Sequence, residues 1–198
     1  MNLAIIKYNA GNIQSVINAL ERLGVNGEVT DDPEKIRSAD KVIFPGVGEA
    51  SSAMRSLQEN NLDKLIKDLR QPVLGICVGM QLLCEHSEEN NTTCLDIVPV
   101  KVKRFPAGYK NYKVPQVGWN TIYNFTSELF NGVPENSYIY NVHSYYAVDS
   151  EYTIAKCEYT VEYAAAIRKE NFYGVQFHTE KSASVGDQIL LNFLEQVK

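Results

Sequence analysis

The first half of the chain alternates short apolar segments with amphipathic ones. Residues 3–6, 41–44 and 73–76 are apolar runs of the length that is typical of buried strands. Apolar positions recur at helical spacing over residues 13–23, and residues 54–69 predict one broken helix or two short ones. This repeated strand–helix order predicts right-handed crossovers and a mainly parallel sheet with helices on both faces.

The second half has a different pattern, in which apolar and polar residues alternate with period two. Strands are predicted over residues 138–146, 153–158 and 164–167, as an antiparallel or mixed part of the sheet. The spacing of residues 185–197 predicts an amphipathic C-terminal helix. We therefore expect an α/β fold with three αβα layers, a mainly parallel mixed sheet and a β-rich second half, as one domain over residues 1–198.

A cysteine lies between two glycines where a predicted strand meets a predicted helix, in the sequence Gly-Ile-Cys-Val-Gly at residues 75–79. Glycines two positions away on either side allow close backbone approach in a tight turn. We expect the Cys77 sulfur to be exposed at a helix N-terminus, where amide N–H groups and the helix dipole favour a thiolate. The pattern predicts a nucleophile elbow, although simple close packing of glycines produces it too.

A histidine and a carboxylate follow a strand-like segment near the C-terminus. If the extended chain continues to residue 180, period two places His178 and Glu180 on the same side. A carboxylate in that place can orient an imidazole, so Cys77, His178 and Glu180 form a candidate catalytic triad. A surface histidine is the alternative for His178. His86 is predicted on the helix after Cys77, too far along its axis, and His143 could line a pocket but has no neighbouring acid.

Composition excludes several classes of protein. A net charge of −5 and a pI near 5.3, without a basic stripe, argue against a nucleic-acid binder. The densest basic cluster, residues 101–104, is interpreted as a solvated loop. No apolar run is long enough for a membrane helix and the N-terminus does not resemble a signal peptide, so we expect a cytoplasmic protein. The four cysteines match no zinc or redox spacing, so we expect no metal and no cofactor.

A second glycine-rich turn follows the strand predicted at residues 41–44, with the sequence Pro-Gly-Val-Gly. In open α/β sheets ligands bind beyond the carboxyl ends of the strands, where this turn and Cys77 would both lie. The small residues Gly46 and Gly48 would let backbone N–H groups, including that of Val47, approach a reacting carbonyl. The Val78 amide would supply the other half of an oxyanion hole. Turn geometry alone is the alternative explanation.

These motifs together resemble the class I glutamine amidotransferases, over nearly the whole length of the chain. Within that family the chain is similar to the glutaminase subunits of imidazole glycerol phosphate synthases, which act in histidine biosynthesis. The resemblance implies that Cys77 attacks the side-chain amide of glutamine. It implies that His178 protonates the departing ammonia and then activates water, while Glu180 orients His178.

The resemblance also implies a pocket for the amino-acid end of glutamine. Gln81 and Glu89 match positions that help to hold it, and the backbone around Ser144 and Tyr145 matches another wall. Gln81 lies four residues after Cys77, on one helical face, which makes its reach to the pocket physically reasonable. Either Gln81 or Glu89 could otherwise be an ordinary solvated helix residue.

In the family, ammonia passes to a separate (β/α)₈ cyclase subunit in a heterodimer, and a chain of this length cannot contain such a barrel of about 250 residues. Asn12, Trp119, Asn120 and Tyr140 match positions at or near that interface. A buried core position is the alternative for Trp119. A glutaminase of another synthase, aminating a sugar or a chorismate derivative, a stand-alone cysteine hydrolase and a silent binding subunit are the competing hypotheses.

The chain departs from the family pattern at positions that carry no catalytic atom. Thr179 stands where proline is common between the histidine and the glutamate. Gln116 and Val117 stand where the family usually has His-Met, before Gly-Trp-Asn. The sequence Lys-Tyr-Asn-Ala at residues 7–10 replaces a more usual Asp-containing opening loop. We expect glutaminase chemistry to survive these three changes, of which the last two fall toward the expected partner face.

Overall fold

The computed structural model describes residues 1–9, 12–108 and 112–198. The helices are α1 (Ile13–Arg22), α2 (Pro33–Ser38), α3 (Ala50–Glu59), α4 (Leu62–Lys67), α5 (Val78–Leu83) and α6 (Ala183–Glu195). The strands of the first half are β1 (Leu3–Ile6), β2 (Gly27–Thr30), β3 (Lys41–Gly46), β4 (Val73–Cys77), β5 (Cys84–Ser87), β6 (Thr92–Thr93) and β7 (Val98–Arg104). Those of the second half are β8 (Gln116–Tyr123), β9 (Ser137–His143), β10 (Tyr145–Ala147), β11 (Thr153–Glu158), β12 (Glu162–Lys169) and β13 (Phe172–Val175).

Five parallel strands form one side of the sheet, in the order β2-β1-β3-β4-β13, with β2 at the edge. Antiparallel pairing starts at β12, which joins β13 and β10 along one side and β11 along the other. The β8–β9 hairpin extends this part through β11. The three-layer α/β fold with a mixed sheet and a β-rich second half is therefore confirmed.

The central strands are buried along their whole length. Every residue of β1, β3, β4 and β13 is buried, as expected for parallel strands covered on both faces. The hairpin differs, because its strands alternate between buried and exposed positions. Its outer face carries exposed apolar side chains, which belong to Val117, Trp119, Tyr138 and Val142. None of the helices formed by the described residues has the length and hydrophobicity that a membrane crossing requires.

Two predicted local structures were wrong. The helix after Cys77 ends at Leu83, and His86 lies in β5, because residues 84–87 pair with β7 and β6 instead of continuing the helix. The basic cluster at residues 101–104 is not a loop but the end of β7. In that strand Val102 is buried between exposed Lys101 and Lys103, which is the alternation of a half-buried strand.

Candidate active site

The chain makes a sharp turn at Cys77, where β4 ends and α5 begins at the next residue. Cys77 has φ 55° and ψ −111°, a backbone conformation that residues other than glycine rarely adopt outside functional sites. A Cβ at Gly79 would lie 1.9 Å from the Phe44 carbonyl oxygen, and one at Gly75 would lie 2.8 Å from the Met80 nitrogen. The flanking glycines are therefore required by space, as the nucleophile-elbow pattern predicts.

The sulfur is less exposed than the sequence suggested. Cys77 keeps only 3% of its accessible surface, because α5 and the neighbouring strands surround it. It nevertheless lines a cavity of about 480 Å³, within the range of about 300–1,000 Å³ that is typical of small-molecule sites. The small accessible surface of Cys77 therefore faces this cavity.

His178 and Glu180 lie together, although not by the extended geometry that was predicted. Strand β13 ends at Val175, and a 3₁₀ turn over Thr179–Lys181 carries Glu180 back toward the ring. His178 Nδ1 lies 2.7 Å from Glu180 Oε1, with both side chains buried. The side chain of Asn12 donates a hydrogen bond to the same carboxylate oxygen. These contacts fix the plane of the imidazole.

The protonation states of His178 and Glu180 depend on each other, and that of His178 depends also on Cys77. Burial lowers the pKa of His178, but hydrogen bonds and charge interactions with Cys77 and Glu180 outweigh it and raise the pKa to about 10. Burial raises the pKa of Glu180, but the hydrogen bond and the charge of His178 outweigh it and lower the pKa below its usual value. His178 is consequently held as an imidazolium between an ionised carboxylate and the sulfur.

The cavity brings together most of the residues that the sequence predicted. Its walls contain ten of them: Asn12, Val47, Gly48, Cys77, Val78, Gln81, Glu89, Ser144, Tyr145 and His178. Glu180 stands behind His178 and does not line the cavity. Gly46 lies at the end of β3, where the parallel register pairs it with Cys77. The Tyr8 hydroxyl donates to the carbonyl of the preceding Pro45 at 2.8 Å, so the start of the glycine-rich turn is held next to the elbow.

Gln81 and Glu89, which were predicted to hold the amino-acid end of glutamine, are fixed by specific hydrogen bonds. Gln81 is buried and its amide nitrogen donates to the Tyr145 carbonyl at 3.1 Å and to Gln176 Oε1 at 3.0 Å. Glu89 Oε2 accepts the backbone N–H of Ala50 at 2.7 Å. Burial raises the pKa of Glu89, although the Ala50 hydrogen bond opposes this effect. Neither Gln81 nor Glu89 is an ordinary solvated helix residue.

The four residues expected at a partner interface lie in two places. Trp119 is 54% exposed on the outer face of the hairpin, which excludes a buried core position, and its ring contacts that of Tyr140 edge-on at 5.7 Å. Asn120, on the same strand, donates to the Glu158 carbonyl at 2.7 Å. Asn12 instead lies in the cavity, where it contacts Glu180.

Four further residues line the cavity, and of these only His143 was considered from the sequence as a pocket residue. The four are Pro115, Val142, His143 and Lys181. For His143, a position in an aromatic strand was the only signal. Its Nδ1 lies 2.7 Å from the Tyr145 carbonyl, and burial lowers its pKa to about 4, so this ring is neutral. Gln176 Nε2 approaches Cys77 Sγ at 3.9 Å, and the shared strand face of residues 176 and 178 was the available signal.

The other groups considered from the sequence do not form a second reactive centre. Cys84, Cys94 and Cys157 are free and buried. In the ranges that the structure describes, no group of three or more His, Cys, Asp or Glu side chains is arranged to hold a metal ion. Of the departures from the family pattern, Thr179, Gln116 and Tyr8 are buried, and Val117 is 61% exposed, while Ala10 lies outside the described residues.

Comparison with known proteins agrees with the geometry. Residues 4–197 match the family model described as glutamine amidotransferase class-I. The protein "Imidazole glycerol phosphate synthase subunit HisH" of Bacteroides fragilis (strain YCH46) is 54% identical over 98% of this chain and 100% of its own length. The protein of the same name from Haemophilus influenzae (strain ATCC 51907 / DSM 11121 / KW20 / Rd) is 48% identical over 100% of this chain and 98% of its own.

Solved structures show the same fold at low sequence identity. A glutamine amidotransferase from Thermotoga maritima has a TM-score of 0.71 at 14% identity, with 100% of this chain and 97% of that chain covered. The family model covers nearly the whole chain, and the two relatives are 54% and 48% identical to it along almost its full length. The chain therefore belongs to the class-I glutamine amidotransferase family.

Proposed function

We propose that this chain is the glutaminase subunit of an imidazole glycerol phosphate synthase, which hydrolyses glutamine to glutamate and ammonia for histidine biosynthesis. The single observation that carries the activity is that Cys77 and His178 line one cavity of suitable size while Glu180 holds the His178 ring from behind. The assignment to this synthase is supported by relatives of that name that align along the entire chain.

The first chemical step is attack of the Cys77 thiolate on the side-chain carbonyl carbon of glutamine. Backbone N–H groups at Val78 and around Val47 would stabilise the oxyanion of the tetrahedral intermediate. His178 gives its proton to the departing amine, so that ammonia leaves and a thioester remains. The imidazolium form favoured by the surroundings of His178 is the form that this proton transfer needs.

The second step returns the enzyme to its starting state. Neutral His178 removes a proton from water, which attacks the thioester carbon and releases glutamate and the Cys77 thiolate. Glu180 holds the ring through Nδ1, so that Nε2 is the nitrogen available for both proton transfers. The contact of Asn12 with Glu180 restricts the carboxylate in turn.

The polar walls of the cavity suit the amino-acid end of glutamine. Glu89 offers a carboxylate for the α-ammonium group. Both amide protons of Gln81 are used by Tyr145 and Gln176, which leaves its oxygen as a hydrogen-bond acceptor on the cavity side. We infer that Glu89 and Gln81 select an α-amino acid over a simple amide.

The glutaminase activity is tested by removing the Cys77 sulfur and measuring ammonia release from glutamine. In the complex with a cyclase subunit, Cys77→Ala should abolish glutamine-dependent ammonia formation. Cys94→Ala is the matched control, since this buried cysteine is absent from the cavity walls and should leave turnover intact. Added ammonium salt should restore synthase activity to the Cys77→Ala complex. Persistent glutamine turnover in Cys77→Ala would refute the proposal.

A cyclase subunit of (β/α)₈ fold is the proposed partner, with glutamine as the substrate on this side of a heterodimer. The outer face of the β8–β9 hairpin supports this inference, because its exposed apolar and aromatic residues resemble the composition of interface cores. The hairpin also reaches the cavity, since Val142 and the adjoining Pro115 line it. A partner bound to this face would therefore lie close to the point where ammonia is produced.

A charged substitution on the outer face of the β8–β9 hairpin tests whether this face binds the cyclase subunit. Trp119→Asp should abolish binding to the cyclase subunit of the same organism's synthase in isothermal titration calorimetry, because an aromatic anchor is replaced by a group that is costly to desolvate. Ser38→Asp adds the same charge at an exposed position of α2 and should leave binding unchanged. Binding of Trp119→Asp with wild-type affinity would exclude this face.

A further inference from the structure

Gln176 is a completely buried polar residue next to the nucleophile, and the fold explains why it is there. Strand β13 runs parallel to β4 with Gly174 opposite Gly75 and Val175 opposite Ile76. The next step in this register brings Gln176 to the level of Cys77. Gln176 has no accessible surface, and its Nε2 lies 3.9 Å from Cys77 Sγ. A buried amide in this position needs a partner for its N–H, and the sulfur is that partner.

The surroundings fix which end of the Gln176 amide faces the sulfur. The Tyr145 carbonyl can only accept a hydrogen bond, so the Gln81 atom 3.1 Å from it must be the amide nitrogen. That same nitrogen lies 3.0 Å from Gln176, so the Gln176 atom facing it must be the oxygen. The nitrogen of Gln176 then points to Cys77. The donor is therefore set by a chain of hydrogen bonds that starts at a backbone carbonyl.

The backbone carbonyl at the start of this chain is itself held in place. Neutral His143 donates to the Tyr145 carbonyl through Nδ1 at 2.7 Å, and its Nε2 lies 3.3 Å from the Tyr163 hydroxyl. His143 and Tyr163 are both buried. The Gln81 and Gln176 amides thus have little freedom to rotate, and their order does not depend on a bound ligand.

We propose that Gln176 is a further catalytic residue, whose side-chain N–H donates to the Cys77 sulfur and stabilises the thiolate, and that Gln81 is the positioning residue that orients it. This inference rests on the proposed function, in which Cys77 is the nucleophile. His178 provides a charged donor to the sulfur, which is lost whenever the ring is neutral. Gln176 provides a second donor that does not titrate, so the sulfur keeps one fixed partner throughout the reaction.

The rate of Cys77 alkylation by iodoacetamide as a function of pH tests this role on the full chain alone. Alkylation needs the thiolate but neither glutamine nor a partner, and peptide mass spectrometry follows Cys77 separately from the other cysteines. In Gln176→Met, the donor is lost while the volume is nearly kept. We expect the rate at pH 7, relative to the plateau at high pH, to fall about three- to tenfold, the effect of losing one ordinary intramolecular hydrogen bond.

Two further variants separate this effect from a general loss of packing. Asn192→Leu removes another buried amide, which donates to the Leu129 and Asn131 carbonyls, and should lower thermal stability without moving the alkylation profile. Gln81→Met should move the profile in the same direction as Gln176→Met by a smaller amount, and it remains informative if Gln176→Met does not fold.

An alkylation profile that is unchanged in folded Gln176→Met, or in Gln81→Met where Gln176→Met does not fold, would overturn the proposal. Ammonia release by the wild-type complex is a separate measurement. Its absence, together with a shifted alkylation profile, would refute the glutaminase activity while the contact between Gln176 and the sulfur stood. The failure of the inference and the failure of the proposed function are therefore distinguishable.

Discussion

The backbone at Cys77 should cost the protein stability, and substitution can measure that cost. Its φ of 55° and ψ of −111° lie near the mirror image of the polyproline region, which glycine enters freely. For other residues such a conformation costs on the order of 1–3 kcal/mol. Cys77→Ala and Cys77→Gly both remove the sulfur, but only the glycine variant removes the Cβ that makes the conformation unfavourable.

Cys84 supplies a matched pair of variants, because it is equally buried but has φ −70° and ψ 174°, which any residue adopts. There, loss of a buried methyl group costs about 0.8 kcal/mol, and the freer unfolded chain of a glycine variant costs about 0.5–1 kcal/mol. Cys84→Gly should therefore be less stable than Cys84→Ala by roughly 1.5 kcal/mol. The same two costs apply at Cys77, where relief of about 1–3 kcal/mol opposes them.

We expect the stability of Cys77→Gly to lie between about 0.5 kcal/mol below and about 1.5 kcal/mol above that of Cys77→Ala, whereas Cys84→Gly is clearly less stable than Cys84→Ala. Urea unfolding of the four variants, extrapolated linearly to water, gives the required free energies of unfolding. The glycine-minus-alanine difference should be more favourable at position 77 than at position 84 by about 1–3 kcal/mol. Equal differences at the two positions would show that the turn stores no strain, while both Cys77 variants should lack glutaminase activity.

Local patterns were sufficient to predict the parallel part of the fold and the turn at Cys77. Buried parallel strands are continuous apolar runs, so β1, β3 and β4 were recognisable without knowledge of their neighbours. The elbow was recognisable because its steric requirement falls on residues close in sequence, Gly75 and Gly79. Such features depend on interactions over a few residues.

Features that depend on distant pairing were not predictable in the same way. Residues 84–87 contain no glycine or proline to end the helix predicted after Cys77, and their pairing with β7 and β6 makes them a strand. The contact of Gln176 with Cys77 follows from the register of β13 on β4, which joins segments about a hundred residues apart. The position of Glu180 beside His178 required a 3₁₀ turn, where the sequence favoured a continued strand. In each case a tertiary contact determined the local structure.

Four further substitutions address the packing of the elbow, the end of α6, an exposed ion pair and the charge on His178. Gly79→Ala should lower the free energy of unfolding by more than about 3 kcal/mol in urea unfolding, because its Cβ would overlap a carbonyl oxygen of β3 at 1.9 Å. Lys41→Met should cost about 2 kcal/mol, because the buried ammonium donates at 2.6 and 2.5 Å to two carbonyls at the C-terminal end of α6. Lys35→Met, which removes an exposed ion pair, should change the stability by less than about 1 kcal/mol. For His178, burial lowers the pKa but Cys77 and Glu180 raise it from 6.5 to about 10, so the folded state binds the proton more tightly than the unfolded state. The resulting stabilisation is complete below about pH 6.5 and is lost as the pH rises toward 10. The free energy of unfolding should therefore fall more steeply between pH 7 and pH 10 in the wild type than in His178→Gln, and parallel curves for the two proteins would contradict a raised pKa.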